Sequence, residues 1–314
     1  MIEKSRQVIC WGASERGEEE KGINDFWDAR PIFDQDEVTW KDKVKLLFFP
    51  KKLLLYNWIR KALQEKRKEN KRTGKFSKLK ILDVACGTGA NIIEMKKLWC
   101  KEIEVYGVDR IHLQVDLANR RIKEYGVWAD ISFYEANSLP FNHDFFDVVF
   151  SSDILVNIED FSSYLEELQR VLSFGGSLVI FADSKLGKHA YIKNYLHKKG
   201  LDISNHKPFH LSSYSKEDLI KTLTVNDFEI KKMYTTFFLD FLTYPEDFYE
   251  SLQSQNKFFF LRNINKFLCW LKIKTKPVSS FCSGLYSLIE MLTIGRFLQV
   301  QGYIVLAKKK HYNE

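Results

Sequence analysis

Short apolar runs alternate with helix-like stretches along the middle of the chain. Five runs bounded by turn residues predict strands, at residues 81–84, 103–108, 131–134, 145–150 and 177–181. Residues 90–99 have helical character, and Leu165, Leu168 and Val171 recur at helical spacing between the last two runs. Strands that alternate with helices are typical of a parallel sheet covered on both faces. The pattern therefore predicts an α/β fold, whose ligands bind at the carboxyl ends of the strands.

Capping residues and glycines predict the ends of the helix that follows residue 150. Ser163 and Glu166 have the spacing of a capping box, which predicts the start of this helix. Gly175 and Gly176 come after its last apolar position and predict its end. We therefore expect the helix to lie between the box and the glycine pair.

Beyond this helix the pattern is less regular. Residues 184–212 are polar and have the character of an insertion over the strand ends. A second capping box begins at Ser215 and predicts a late helix, and residues 228–238 and 299–307 alternate as strands do. Residues 239–298, between these two strands, are aromatic and helical in period. The pattern therefore predicts one sheet domain with helical insertions.

Composition and length narrow the class of protein. The chain has 314 residues and a formal net charge of +7, and its ordinary content of apolar and charged residues excludes a disordered or collagen-like chain. Its five cysteines are irregularly spaced, which predicts free thiols and neither a disulfide framework nor a metal site. The longest uncharged run, residues 277–289, is 13 residues long, whereas a spanning helix needs about 18. Because no signal-peptide pattern is present either, we expect a cytoplasmic protein.

Basic residues are concentrated in three segments. Residues 60–80 contain 10 basic and 2 acidic side chains, which indicates a solvated helix end or a patch for anionic lipid or RNA. Residues 46–63 and 257–276 have the pattern of amphipathic helices with basic faces. The predicted apolar face of the later helix consists of Phe260, Ile264, Phe267, Leu268 and Leu271. These two helices either pack on the core as a lid and pocket wall or contact an anionic membrane.

The first predicted strand ends in a turn with the composition of a nucleotide-cofactor site. Gly87 and Gly89 let a ligand approach the main chain closely, and Asp109, at the end of the second strand, is placed to accept hydrogen bonds from ribose hydroxyls. A dinucleotide fold is the first alternative. Ile92 disfavours it because it replaces the third glycine of that motif. Asp83 disfavours it too, because a carboxylate repels a pyrophosphate but attracts a cationic amino group.

Five segments of the chain carry a family resemblance. They are LDVACGTGA at 82–90, GVD at 107–109, EANSLPF at 135–141, FDVV at 146–149 and LxRVLxxGG at 168–176. In this order and spacing they resemble the class I S-adenosylmethionine-dependent methyltransferases, above all the small-molecule and quinone-methylating members. The resemblance implies a Rossmann-like, doubly wound, seven-stranded sheet whose last strand is antiparallel, with a helical N-terminal segment and helical insertions. It also implies S-adenosylmethionine as the cofactor and S-adenosylhomocysteine as the product.

We divide the chain into five parts on this basis. An N-terminal helical segment with a basic linker, 1–75, precedes the cofactor-binding core, 76–183. An insertion with the late helix and strand, 184–238, and a helical aromatic insertion, 239–298, come before the last strand and tail, 299–314. We expect the helical aromatic insertion to form the acceptor site or a membrane contact.

The resemblance implies roles for ten residues at the cofactor site. Asp83 and the main chain of Ala85 hold the methionine amino group, Ser151 faces the methionine part, and Gly87 and Gly89 admit the cofactor. Asp109 holds the ribose. Arg110 and Ile111 flank the adenine, and Asn137 and Ser138 meet its polar edge. The family most often has glycine at the position of Ala85 and aspartate at that of Asn137. Because an amide also accepts a hydrogen bond from an amino group, we expect cofactor binding to survive this difference.

The predicted chemistry needs few catalytic groups. A sulfonium methyl group is already activated, so positioning of the acceptor does most of the work, and a base is needed only when the acceptor must lose a proton. Our predicted catalytic residues are His210, which resembles a histidine found before the late helix in many relatives, and Tyr214.

The acceptor is predicted by exclusion. The chain lacks the motifs that the family uses on DNA amino groups, on RNA cytosines and on protein arginines. We therefore expect a small-molecule or lipid-linked acceptor. Peripheral contact with the cytoplasmic face of an anionic membrane stays open beside the alternative that the amphipathic helices form a lid and pocket wall. Three alternatives stay open: an RNA methyltransferase that uses residues 60–80, a nicotinamide oxidoreductase, and a non-catalytic cofactor-binding partner protein.

Overall fold

A seven-stranded mixed sheet forms the centre of the fold. The computed structural model describes residues 29–33, 38–134, 138–152, 160–182, 184–201, 203, 214–236 and 238–310. The strands are β1 (Leu79–Val84), β2 (Ile103–Asp109), β3 (Asp130–Phe133), β4 (Phe146–Ser152), β5 (Leu172–Ala182), β6 (Phe228–Thr236) and β7 (Gln301–Lys309). They lie in the order β3-β2-β1-β4-β5-β7-β6, in which β1 to β5 are parallel and β7 is antiparallel to both neighbours. The predicted doubly wound sheet with an antiparallel last strand is confirmed.

Helices cover both faces of this sheet. They are α1 (Trp40–Lys45), α2 (Pro50–Thr73), α3 (Ala90–Trp99), α4 (His112–Glu124), α5 (Phe161–Val171), α6 (Tyr191–Lys198), α7 (Lys216–Val225), α8 (Asp240–Thr243), α9 (Glu246–Gln253), α10 (Phe259–Lys274) and α11 (Val278–Leu292). Apolar side chains of α2, α3 and α4 belong to the core on one face, and those of α5 and α7 to the core on the other. The carboxyl ends of the central strands therefore lie between two helical layers, where ligands of such sheets bind.

Helix α2 attaches the N-terminal helical segment to the sheet. It begins with Pro50, whose fixed φ suits the first helical turn, and it ends before Gly74, which is left-handed. Its buried stripe includes Leu55, Ile59 and Leu63, which lie in the same apolar cluster as the side chains of β1. The apolar face of this amphipathic helix is therefore covered by the core.

The start of α5 corrects one prediction. Asp160, and not Ser163, is the N-cap, because the Asp160 carboxylate accepts the backbone N–H of Ser163 at 3.1 Å. The predicted capping box of Ser163 and Glu166 is therefore wrong. The box at Ser215 is confirmed, since its hydroxyl and the carboxylate three residues later exchange the expected hydrogen bonds.

The end of α5 corrects a second prediction. The helix ends at Val171 and the chain enters β5 directly, because Leu172 pairs with Phe146 of β4. Gly175, at φ +69°, and Gly176 lie within that strand and do not end the helix. A long-range strand pairing thus decides a boundary that local glycine content predicted differently.

The helices between β6 and β7 pack around a small apolar cluster of their own. Phe248 and Leu252 of α9 are buried there, and Ile264 and Leu268 of α10 pack against them. Asn265 is fully buried between these apolar residues, where its side-chain amide donates to the Pro245 carbonyl at 2.7 Å.

Within the described ranges, no helix is long and apolar enough to cross a bilayer.

Candidate cofactor site

The turn between β1 and α3 has the backbone that a close ligand approach requires. Ala85, Gly87 and Gly89 all have positive φ, at 59°, 53° and 78°. A side chain in the left-handed region costs about 1 to 2 kcal/mol, so Ala85 is held there by its surroundings. This conformation explains in physical terms why the family most often has glycine at this position.

The two glycines of this turn have different roles. A Cβ added at Gly89 would lie 3.2 Å from the Cβ of Ala118, so this glycine allows α3 and α4 to pack closely. A Cβ added at Gly87 would have no atom of the described residues within 4 Å, so among them this part of the turn borders open space. A ligand can therefore approach the main chain at Gly87 from the solvent side.

Asp109 connects this turn to the end of β2. Its Oδ2 atom accepts the backbone N–H of Gly87 at 2.8 Å, and its Oδ1 atom accepts that of Ile111 at 3.0 Å. Burial raises the pKa of this carboxyl, and the two backbone donors act in the opposite direction. The structure thus brings together Gly87, Asp109 and Ile111, three of the predicted cofactor residues.

Asp83 is the buried carboxyl at the centre of the site. It is 1% exposed, and its Oδ2 atom has no hydrogen-bond partner within the described ranges. Burial raises the pKa of Asp83 well above its ordinary value, and the nearby carboxylate of Asp109 raises it further, while Lys52 opposes the rise. A buried carboxyl oxygen that lacks a partner is the group expected to receive a cationic amino group.

A polar cluster beside Asp83 was not predicted from the sequence. Glu94 of α3 is fully buried and accepts three hydrogen bonds: from Lys52 Nζ at 2.9 Å, from the Tyr56 hydroxyl at 2.5 Å and from the Ile32 backbone N–H at 2.8 Å. Burial and the charge of Glu94 raise the pKa of the Tyr56 hydroxyl well above its ordinary value. A signal was present, because Glu94 is the single carboxylate of α3 and is flanked by apolar residues.

A short N-terminal segment, residues 29–33, runs along α3, from the turn before it to Lys97 near its end. The carbonyl of Ala29 accepts a hydrogen bond from the Thr88 hydroxyl at 2.8 Å and another from the Arg121 guanidinium at 2.7 Å. Thr88 belongs to the cofactor turn itself, and Arg121 also donates to its hydroxyl. The turn is therefore held from the N-terminal side as well as by Asp109.

Of the residues predicted to surround the adenine, the structure describes Arg110 and Ser138 but not Asn137. Arg110 is buried, and its guanidinium carbon lies 5.6 Å from the centroid of the Tyr134 ring. The Ser138 hydroxyl donates to Glu167 of α5 at 3.4 Å. Asn137 lies outside the described residues, so its predicted contact with the adenine stays a prediction.

Arg170 fixes the segment that follows Ser138. Its guanidinium donates to the carbonyls of Leu139 at 3.0 Å and of Phe141 at 2.7 Å, and it pairs with Glu167. These contacts give a structural reason for two of the resembling segments, SLPF and LxRVL, because the arginine of the second holds the main chain of the first.

Ser151 and Tyr214 both contact side chains of α5. Ser151 pairs with Val84 in the sheet register, and its buried hydroxyl is 2.8 Å from that of Tyr164. The ring of Tyr214 packs on that of Phe161, with 4.9 Å between the centroids. His210 lies outside the described residues. The methionine-facing role of Ser151 and the catalytic roles of His210 and Tyr214 therefore stay predictions.

The donor set fits S-adenosylmethionine better than a metal. Asp83, with a carboxyl oxygen that has no partner among the described residues, lies beside the glycine turn and suits the amino group of that cofactor. Asp109 ends the neighbouring strand and suits the ribose. Across the described ranges, no group of three or more His, Cys, Asp or Glu side chains could hold a metal ion.

The sheet and this site define an α/β domain that binds a nucleoside cofactor at the carboxyl ends of β1 and β2. Residues 75–233, about half of the chain, match the family model described as a methyltransferase domain. The chain belongs to this family, the class I S-adenosylmethionine-dependent methyltransferases, whose cofactor is S-adenosylmethionine.

Individual relatives match parts of the chain. Demethylmenaquinone methyltransferase of Lactococcus lactis is 32% identical over 144 residues, which are 45% of this chain and 55% of the relative. The ubiquinone/menaquinone biosynthesis C-methyltransferase of Proteus mirabilis is 31% identical over 108 residues, 34% of this chain and 43% of the relative. The chain thus spans about half the length of the curated relatives it matches. The solved structure of the cyclase SpnF covers 80% of this chain and 81% of its own, at 19% identity and a TM-score of 0.48.

Proposed function

We propose that this protein transfers a methyl group from S-adenosylmethionine to a small, lipid-like acceptor at the surface of an anionic membrane. The observation that carries the first half is the buried Asp83 beside the open turn at Gly87. When bound, the cofactor supplies an electrophilic methyl group. Asp83 then binds its amino group and Asp109 orients its ribose, while the turn holds the Asp109 carboxylate in place.

The lipid-like character of the acceptor is supported by two observations. The matched relatives are named for quinone biosynthesis, and quinones of this kind are apolar ring compounds. Helix α10 lies between β6 and β7 along the chain. It also exposes aromatic side chains to solvent. An acceptor that resides in lipid requires an enzyme that reaches the lipid surface.

The exposed face of α10 supports the membrane half of the proposal. Phe259, Phe260, Phe267 and Trp270 are each more than half exposed, and the rings of Phe267 and Trp270 stack at 5.9 Å. Residues 257–276 contain six basic side chains and no acidic one. Solvent-exposed aromatic rings among cations are complementary to the interface of an anionic bilayer.

Methyl transfer is tested with S-adenosylmethionine that carries a labelled methyl group. We expect label to move onto a short-chain demethylmenaquinone supplied in detergent micelles, or onto a fraction of a lipid extract, with release of one S-adenosylhomocysteine per methyl group. The Asp83→Asn variant should lose this activity, whereas Asp130→Asn, which neutralises an exposed carboxylate, should keep it. Label found solely in an aqueous metabolite extract or in RNA would refute the proposed acceptor class.

Membrane contact is tested by co-sedimentation with vesicles in the presence of S-adenosylhomocysteine. We expect the chain to pellet with phosphatidylglycerol vesicles and to stay in solution with phosphatidylcholine vesicles. The Phe260→Ser/Phe267→Ser variant should lose about ten-fold or more in partitioning, because each ring buries apolar area in the interface. The control is Phe76→Ser/Trp128→Ser, which removes two equally exposed rings elsewhere. Equal pelleting of both variants would refute the membrane half.

The catalytic predictions have a separate test. If the acceptor must lose a proton, His210→Ala should lower kcat and change its pH profile, and Tyr214→Phe should do so if its hydroxyl is the base. Both variants should keep S-adenosylhomocysteine affinity, since neither residue is assigned to the cofactor. Unchanged turnover with an unchanged pH profile would remove the residue concerned from the mechanism.

A further inference from the structure

A cavity of about 530 Å³ lies between the N-terminal helical segment and the helices that connect β6 to β7. Its lining comes from residues 32 and 45–49 on one side and 244–283 on the other: Ile32, Lys45, Phe48, Phe49, Tyr244, Glu246, Lys272, Lys276, Ser280 and Ser283. This volume suits a drug-sized or metabolite-sized ligand.

The charged lining of this cavity has a positive excess. Two of its three lysines are compensated: Lys272 pairs with Glu246 and also donates to the Thr243 carbonyl, and Lys45 lies 2.8 Å from the buried Asp42. Lys276 makes no ion pair or hydrogen bond to any residue that the structure describes. The cavity therefore presents one uncompensated cation to whatever enters it.

Hydroxyl groups and aromatic rings complete the lining. Ser280 and Ser283, one helical turn apart on α11, add two hydroxyl groups near Lys276 in the chain. Phe48 and Phe49 belong to the apolar side of the lining, where the Phe48 ring packs on that of Phe281 with 5.5 Å between the centroids. One part of the lining thus suits an anionic head group, and another suits an apolar body.

One lining residue of the cavity also contacts the polar cluster beside Asp83. Ile32 lines it, and the backbone N–H of the same residue donates to Glu94, the buried carboxylate of the polar cluster beside Asp83. Three residues beyond Phe49 in the chain, Lys52 donates to that carboxylate as well. The cavity is thus linked to the polar cluster beside Asp83 through the N-terminal helical segment and residues 29–33.

We propose that this cavity binds the acceptor as an amphipathic phosphate ester, with the phosphate at Lys276, Ser280 and Ser283 and the apolar body against Phe48 and Phe49. The assignment rests on the proposed function and narrows it: the lipid-like acceptor carries a phosphate, so a neutral quinone such as demethylmenaquinone would be a poorer substrate than an anionic ester of similar size. A lysine and two hydroxyl groups supply cationic and neutral donors, and a phosphate monoester has three oxygens to accept from them. A neutral lipid of the same shape would leave Lys276 uncompensated and so would bind more weakly.

The test is a calorimetric titration of the full chain, saturated with S-adenosylhomocysteine, with dodecyl phosphate below its micellar concentration. We expect dodecyl phosphate to bind at least ten-fold more tightly than dodecanol, which lacks the anion, and than pyrophosphate, which lacks the apolar body. Lys276→Gln should weaken dodecyl phosphate about ten-fold, and Ser283→Ala should weaken it about three-fold. Lys274→Gln is the matched control, because this exposed lysine lies two residues away and does not line the cavity.

Each other outcome overturns a definite part of the proposal. Equal affinity for dodecanol, or an unchanged affinity in both Lys276→Gln and Ser283→Ala, would refute the phosphate at this wall. Pyrophosphate that binds as tightly as dodecyl phosphate would refute the apolar half and identify a site for free phosphates. Normal titration by S-adenosylhomocysteine without dodecyl phosphate binding would refute this assignment alone. Failure of S-adenosylhomocysteine to bind would instead refute the proposed function. A titration of the cofactor-free chain with dodecyl phosphate would then still measure the affinity of the cavity for this ligand.

Discussion

Asp83 is the residue whose ionisation matters most at the candidate site. Burial raises its pKa above the ordinary 3.8, so the folded chain keeps this carboxyl protonated to a higher pH than the unfolded chain does. The ligand-free fold therefore loses stability as the pH rises from the unfolded value through the raised one. A cationic amino group beside Oδ2 favours the carboxylate and lowers the pKa again.

This linkage predicts that cofactor binding expels a proton. S-adenosylhomocysteine should bind more tightly as the pH rises through the raised pKa of Asp83, and below it each binding event should release a proton. Titrations in two buffers of different ionisation enthalpy measure that release. Asp83→Asn should abolish it and weaken binding about 10- to 100-fold, the value of a hydrogen bond to a charged group. The same variant should lose the fall in stability that the ligand-free fold shows as the pH rises through the raised pKa of Asp83, because an amide does not titrate.

The control for these measurements is Asp130→Asn, which removes one exposed carboxylate from the start of β3. It should leave affinity and proton release unchanged. An Asp83→Asn variant with the affinity of the unmodified chain would contradict the role given to this carboxyl.

At the scale of elements, α3 connects three parts of the molecule through Glu94. Its carboxylate joins the start of α2, by way of Lys52 and Tyr56, to the segment of residues 29–33. The start of α2 and residues 29–33 are therefore held by the same buried group, and residues 29–33 in turn contact Thr88 of the cofactor turn. Loss of that group should affect both.

We predict that Glu94→Ala lowers the free energy of unfolding by about 2 to 4 kcal/mol. The range follows from three lost hydrogen bonds of about 1 kcal/mol each, with larger values for those to charged groups. Denaturant titration measures the change, and limited proteolysis should show faster cleavage near residue 30. Glu124→Ala, on the exposed end of α4, should change stability by less than about 0.5 kcal/mol. Equal effects of the two substitutions would contradict the role of the cluster.

Elements with strong local patterns could be predicted from the sequence, and elements decided by long-range contacts could not. The bounds of α3 are those predicted, because its apolar period is uninterrupted. Helix α5 begins at a different cap because a carboxylate precedes the serine, and it ends early because Leu172 joins the sheet. In α10 the predicted apolar face is divided: Ile264 packs inward while Phe260 is 74% exposed.

The candidate site was predictable to a similar extent. The turn, Asp83 and Asp109 follow from residue types at fixed spacing in the chain, and the structure brings them together. Glu94 itself carried a signal, but its partners could not be predicted, because they lie 38 to 62 positions away in the chain and meet through tertiary packing. The cavity at Lys276 lies between two segments that the sequence assigns to a lid and pocket wall, but its individual lining residues could not be predicted because they meet through tertiary packing.

For the whole molecule, the distribution of charge separates two kinds of surface. Within the basic segment of residues 60–80, Lys66, Arg67 and Lys78 pair with carboxylates of the sheet domain, so part of its positive charge is neutralised. The basic residues of 257–276 surround exposed aromatic rings. This difference favours a solvated helix end for the first segment and a lipid-facing surface for the second.

The central claim is that the turn after β1 binds S-adenosylmethionine or its product, and one equilibrium titration tests it most directly. S-adenosylhomocysteine should bind the full chain with a stoichiometry of one, and NAD should give no heat and no competition. Binding of NAD at that turn, with no binding of S-adenosylhomocysteine, would contradict the account and return the chain to the nicotinamide oxidoreductases.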